Sequence, residues 1–129
     1  NVPLYQFFTA NNTNPEDIIV RKSQRKKILS SDNGHSFEYE LLTPDNTGTI
    51  EFILQKFKPH SNSGDAVQSH DGEEVFFVLK GQLILMLNQT ELVMNEGDSV
   101  RIAAKTPHLW INRTDEEVEA IFAITPPAF

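Results

Sequence analysis

The 129-residue chain contains no cysteine. Disulfides, thiolate zinc sites and cysteine nucleophiles are therefore excluded. No apolar run approaches the roughly 18–20 residues that a membrane-spanning helix needs. The first ten residues, NVPLYQFFTA, lack both the basic head and the long apolar stretch of a signal peptide, so a cytoplasmic location is expected. Positive charge is also scarce. Lys and Arg number 11 against 18 Asp and Glu, a formal net charge of −7. Such a surface has no reason to attract a phosphate backbone. The one basic concentration is VRKSQRKKIL, residues 20–29. It reads as a solvated edge strand whose lysines discourage edge pairing, with contact to an acidic partner as the alternative.

What remains is a globular composition, 39% hydrophobic and 22% charged, in a length that suits one domain with a substantial core. Val2, Leu4, Tyr5, Phe7 and Phe8 fit an apolar helical turn begun by Pro3. TANNTNPED (9–17) reads as a loop. Beyond it the chain is a series of short β-like segments. Residues 18–21 and 27–30 are candidate strands. In SFEYELL (36–42) apolar and polar residues alternate. TIEFILQKFK (49–58), VFFVL (75–79), QLILMLN (82–88), TELVM (90–94), SVRIAA (99–104), HLWIN (108–112) and VEAIFAI (118–124) follow, separated by turn signals. This spacing predicts an antiparallel sandwich or barrel. The tail TPPAF reads as a strap packed by Phe129.

Chemistry-bearing residues gather at two points. In SHDGEEVFFVLKG (69–81), His70 and Glu74 flank the mouth of an apolar strand, with Gly72 between them. Gln68 shares a face with His70 on an extended chain. In HLWIN, His108, Trp110 and Asn112 share one face and Leu109 and Ile111 the other. Two histidines and one carboxylate are a common set of ligands for a borderline divalent metal, with a position left open. The plainer alternative is a hydrogen-bonded half-buried His108 with Glu73 and Glu74 as surface charges.

Taken together, the two segments resemble the motifs of the cupin superfamily. Gln68, His70, Glu74 and Gly81 match its first motif, with Gln68 where the family has a histidine. Gly97, His108 and Asn112 match the second, with Ala103 and Lys105 where the family has proline and a glycine. SHDGEEVFFVLKGQL, GDSVRIAAKTPH, ITPPAF and the early IIVRKSQRKKI and YELLTPDNTGTIEFIL look like the C-terminal sensor domain of bacterial regulators that join a lambda-repressor-like (XRE-type) helix-turn-helix to a cupin.

The resemblance implies an all-β fold, a double-stranded β-helix or jelly-roll barrel, preceded by a short helical or arm segment. Residues 1–16 would be arm or linker, the end of a helix-turn-helix module missing from this chain, and 17–129 the cupin domain. It implies His70, Glu74 and His108 as ligands of a divalent metal (zinc, iron, nickel or manganese), with Gln68 a possible fourth. Gln68, Phe77 (or Phe76), Trp110 and Asn112 would shape a pocket for a small polar or anionic effector. The intact protein would be a homodimeric transcriptional regulator that contacts DNA through the upstream module and no membrane. Cupins also include metal-dependent oxygenases and isomerases, so an enzyme is the first alternative. A ligand-free structural barrel is the second.

Overall fold

The computed structural model describes residues 14–32, 35–63 and 71–127. The expectations for the apolar arm, Gln68, His70 and Phe129 lie outside them. The strand expected over 18–21 does not form. Two 3-10 turns, Pro15–Ile18 and Lys22–Gln24, stand there instead. Asn14 caps the first, its side-chain oxygen accepting from the Glu16 amide at 3.0 Å, and Pro15 supplies a preset φ at the first position. Ile18 and Ile19 remain exposed, so no sheet rewards their β propensity.

Among the described residues ten strands follow: β1 (Lys26–Asp32), β2 (His35–Leu41), β3 (Glu51–Phe57), β4 (Ser61–Asn62), β5 (Glu73–Lys80), β6 (Leu83–Leu87), β7 (Thr90–Met94), β8 (Ser99–Ile102), β9 (His108–Asn112) and β10 (Val118–Thr125). They form a six-stranded sheet in the order β1-β2-β3-β10-β5-β8 and a four-stranded sheet in the order β4-β9-β6-β7. All pairings are antiparallel. This is the double-stranded β-helix expected from the motifs.

Side-chain alternation decides what faces the interior. Ile53 and Phe57 of β3, Phe76 and Val78 of β5, Leu83 and Leu85 of β6, Trp110 of β9 and Val118, Ala120, Phe122 and Ile124 of β10 form one core. The basic stretch behaves as a solvated edge: β1 ends the larger sheet, and Lys26 and Lys27 are exposed. Asn88 and Gln89 close the β6–β7 hairpin, with φ of 48° and 67°. Positive φ at both central residues is the tight turn that matches strand twist. Among the described residues no helix is long and apolar enough to cross a membrane.

Candidate functional site

The site begins with the parity of β5. Glu73 is exposed and Glu74 buried, because neighbours on a strand face opposite ways. Glu74 thereby joins Phe76 and Val78 inside the barrel. In β9, His108, Trp110 and Asn112 are buried on one face, as the alternation predicted. The two sheets bring His108 Nε2 within 3.6 Å of Glu74 Oε1.

The tautomer of His108 follows from its other nitrogen. Nδ1 lies 2.8 Å from the carbonyl oxygen of Thr106, which can only accept. Nδ1 therefore carries the proton, and Nε2 presents its lone pair toward Glu74. A lone pair facing an ionised carboxylate calls for positive charge between them, either a proton or a cation. Burial pushes the Glu74 carboxyl up to about 7. Near neutral pH it can hold that proton or give it up.

Two of the three expected metal ligands thus converge. Their separation suits two atoms each about 2.0–2.2 Å from one ion. Histidine with its second nitrogen tied to a carbonyl is a usual ligand arrangement. Among the described residues no group of three such side chains is placed to hold a metal; His70, the third in the sequence pattern, lies outside them.

Further polar residues line the interior that motif spacing did not single out. Glu51 and Gln55 of β3 are buried on its inward face. Glu51 is in register with Ile124, which is in register on its other side with Glu74. The two carboxylates therefore stand two strands apart, roughly 9–10 Å from strand spacing. Tyr39 of β2, in register with Gln55, also reaches this region. Burial, and secondarily the Glu74 charge, raise its hydroxyl above its usual range.

The aromatic wall is built by three rings. Trp110 stacks on Phe76 with centroids 3.8 Å apart and planes 15° from parallel, and Phe122 lies 5.8 Å beyond Phe76. The Trp110 backbone amide donates to Ser63 Oγ at 3.0 Å, fixing β9 against the chain after β4. The buried indole nitrogen Nε1 finds no acceptor among the described residues. A buried donor left so is costly unless a bound group accepts from it.

Two of the expected pocket residues are corrected. Phe77 pairs in register with Ile121 and Ser99 on the outer face of the larger sheet, so Phe76 is the ring against Trp110. Asn112 is fully spent on its own chain. Its Nδ2 donates to the carbonyls of Phe57, Lys58 and Glu116, and its Oδ1 accepts from the Thr114 amide and hydroxyl. It ties together the ends of β3 and β9 instead of meeting a ligand. Gly72 is required by packing: a Cβ there would collide with the backbone carbonyl of Thr125. The missing side chain lets the chain before β5 lie directly on the end of β10.

Comparison with known proteins agrees with the fold. The family described as Cupin domain matches residues 53–124. The chain is 28% identical over 116 residues to the HTH-type transcriptional regulator PuuR of Escherichia coli (strain K12), a match that covers 90% of this chain and 57% of the regulator. The chain thus spans little more than half the length of that relative. Among solved structures, the Cupin_2 domain of an XRE family transcriptional regulator from Enterobacter cloacae superposes with a TM-score of 0.60 at 21% identity, covering 69% of this chain and 95% of that one. A sugar phosphate isomerase of the cupin superfamily from Silicibacter pomeroyi superposes with a TM-score of 0.71 at 20% identity, covering 84% and 75%. At these identities the superpositions establish the fold alone.

Proposed function

This chain belongs to the cupin family, and from that premise we propose that it is the effector-sensing barrel of a helix-turn-helix transcriptional regulator, with a DNA-binding module upstream of Asn1. The observation that carries the proposal is the barrel interior itself. It combines a proton- or cation-demanding Glu74–His108 pair, an aromatic wall and the indole donor of Trp110, which finds no acceptor among the described residues. Convergent polar groups on an apolar wall are what a small-molecule site requires. The resemblance over 90% of this chain to part of a regulator supports the regulatory context.

A polar effector that accepts from Trp110 Nε1 fits this lining. A free anion does not, unless protons or a metal neutralise Glu74, because Glu51 and Glu74 both face the interior. Glu74 and His108, with His70, would hold a divalent metal, which when bound supplies a Lewis-acid anchor for a ligand oxygen. Coupling to the upstream module then needs only different effector affinities for two states of the protein.

The test is thermal unfolding across a metabolite library, with and without added divalent metal. An effector at about 100 times its Kd stabilises by roughly 2.7 kcal/mol. Trp110→Phe, which keeps the stack and removes the donor, should weaken that shift. Elemental analysis of protein purified without chelator reports the metal, and His108→Ala should abolish it. A library without any shift would favour the structural barrel. A second reading, a metal-dependent enzyme, is favoured by the same Glu74–His108 pair, because a carboxyl near neutrality beside an imidazole can move a proton. Turnover of a stabilising compound would select it.

A further inference from the structure

Among the described residues the barrel buries two carboxamides, Gln55 and Asn112, and the chain uses them differently. Asn112 is spent on partners at the ends of β3 and β9. Gln55 is 4% exposed, yet among the described residues its amide makes no hydrogen bond within the chain. A primary amide carries two donors and an acceptor oxygen. Enclosing that capacity without using it is costly, and a native core seldom does so. Packing does not ask for it either: Ile53 and Phe57, two residues to each side on the same face of β3, are apolar core.

The strand register gives the amide its setting. Gln55 shares a row with Tyr39 of β2, Ala120 of β10 and Val78 of β5. The next row is apolar, with Leu41, Ile53, Phe122 and Phe76. Beyond it lies the row of Glu51, Ile124 and Glu74. The inner face of the larger sheet thus carries polar groups at both ends of an apolar strip. Trp110 of the facing sheet lies on that strip, stacked against Phe76. Gln55 is one row along and two strands across from Phe76, roughly 11–12 Å between backbones. Two inward side chains and a small ligand can bridge such a span.

The idle groups restrict what a ligand must present. Trp110 Nε1 only donates, so it needs an acceptor. The Gln55 amide needs both, an acceptor for its nitrogen and a donor for its oxygen. An ammonium group offers donors alone and leaves the indole and the amide nitrogen unmet. A carboxylate offers acceptors alone and leaves the amide oxygen unmet. A carboxamide or a hydroxyl does both without charge. A site whose buried polar groups stay unpaired when the wrong ligand enters discriminates strongly.

We propose that Gln55 is a specificity-determining residue of the barrel interior, and that it selects an effector presenting an uncharged group that both donates and accepts, a carboxamide or a hydroxyl. The proposal rests on the effector reading, and names the chemistry that the end of the site away from Glu74 recognises.

Two measurements test it, both on the 129-residue chain with chelator. The first needs no ligand. Gln55→Met keeps the length of the side chain and removes the amide. An amide that makes no bond in the fold is not missed, so the urea midpoint should stay or rise. A clear fall would show that the amide holds the fold, and overturns the proposal while leaving the effector reading, which rests on Glu74, His108 and Trp110, untouched. The second compares butyramide, butanol, butyrate and butylammonium, with affinity read from the rise of the thermal midpoint with probe concentration. Butyramide and butanol should stabilise the unsubstituted chain, and each should bind Gln55→Met about 10-fold more weakly. Butyrate and butylammonium should show no dependence on Gln55. A charged probe that depends on Gln55 as strongly as butyramide overturns the chemical class. Neutral probes that stabilise neither protein, or both alike, overturn the role of Gln55, and the metabolite library then judges the effector reading separately.

Discussion

At the scale of single residues, Glu74 sets how the barrel responds to pH. Its carboxyl, at about 7 when folded, binds more protons in the folded chain than in the unfolded one, where it titrates near 4.5. For this group, metal-free stability falls as pH rises from about 4.5 through 7 and is flat on either side, with a limit of roughly 3 kcal/mol. Glu74→Gln cannot ionise. Its stability relative to the parent should therefore rise across that window. Urea unfolding of both proteins with chelator, at about pH 5 and about pH 8, gives the comparison. Parallel pH dependences would mean that the Glu74 carboxylate is not penalised by burial. Asn112 sets a different limit. Asn112→Ala strips partners from three carbonyls and from the Thr114 amide. It should cost about 3 kcal/mol in urea unfolding. A loss under about 1 kcal/mol would imply that water replaces those bonds readily.

At the scale of elements, β5 shows what could be read in advance. VFFVL has no polar residue to mark its parity, so Phe76 and Phe77 look equivalent in isolation. The preceding Glu73–Glu74 pair breaks the tie: once Glu74 faces inward, Phe76 and Val78 must as well. Glu51 and Gln55 carry no such mark. In TIEFILQKF each face of the strand mixes polar and apolar residues, and only the register with β10 and β2 shows that the inner face includes both. Residues 18–21 look extended by propensity, but the Asn14 cap and Pro15 make a 3-10 turn with no strand beside it to compete. The backbone contact of Gly72 with Thr125 is likewise between residues far apart in sequence, and no local pattern announces it. Gly72→Ala should cost about 2 kcal/mol or more, since a carbonyl cannot yield as a side-chain tip can. If the proposed metal is held by Glu74, it should also reduce metal uptake, because the displaced segment leads directly into that residue. Chemical denaturation and elemental analysis would check both effects. An unchanged stability would mean that residues 71 and 72 shift freely.

For the whole molecule, the two motifs specified the barrel and its interior pair together. The spacing in each places one member of the Glu74–His108 pair at a strand end, and jelly-roll topology is what brings those ends together. The outer surface was less legible. Whether an apolar residue on a sheet faces the core or solvent depends on which strands flank it, and the order β3-β10-β5 joins strands distant in sequence. Charge at this scale makes a separate prediction. The 129-residue chain, at −7, should show no sequence-preferring band with duplex DNA in a gel shift at moderate salt. A competitor-resistant band would require a binding surface outside the described residues.

The stacked indole has a consequence for measurement. Trp110 is the only tryptophan in the chain, and it lies face to face with Phe76, two residues along the strand from His108. Excitation at the red edge of aromatic absorption therefore interrogates a single, known position in the barrel. An acceptor arriving at Nε1 would lower the energy of the excited indole and move its emission. Occupancy of the indole donor, which the proposed effector would bring about, can thus be read in the unlabelled protein as a shift in emission wavelength.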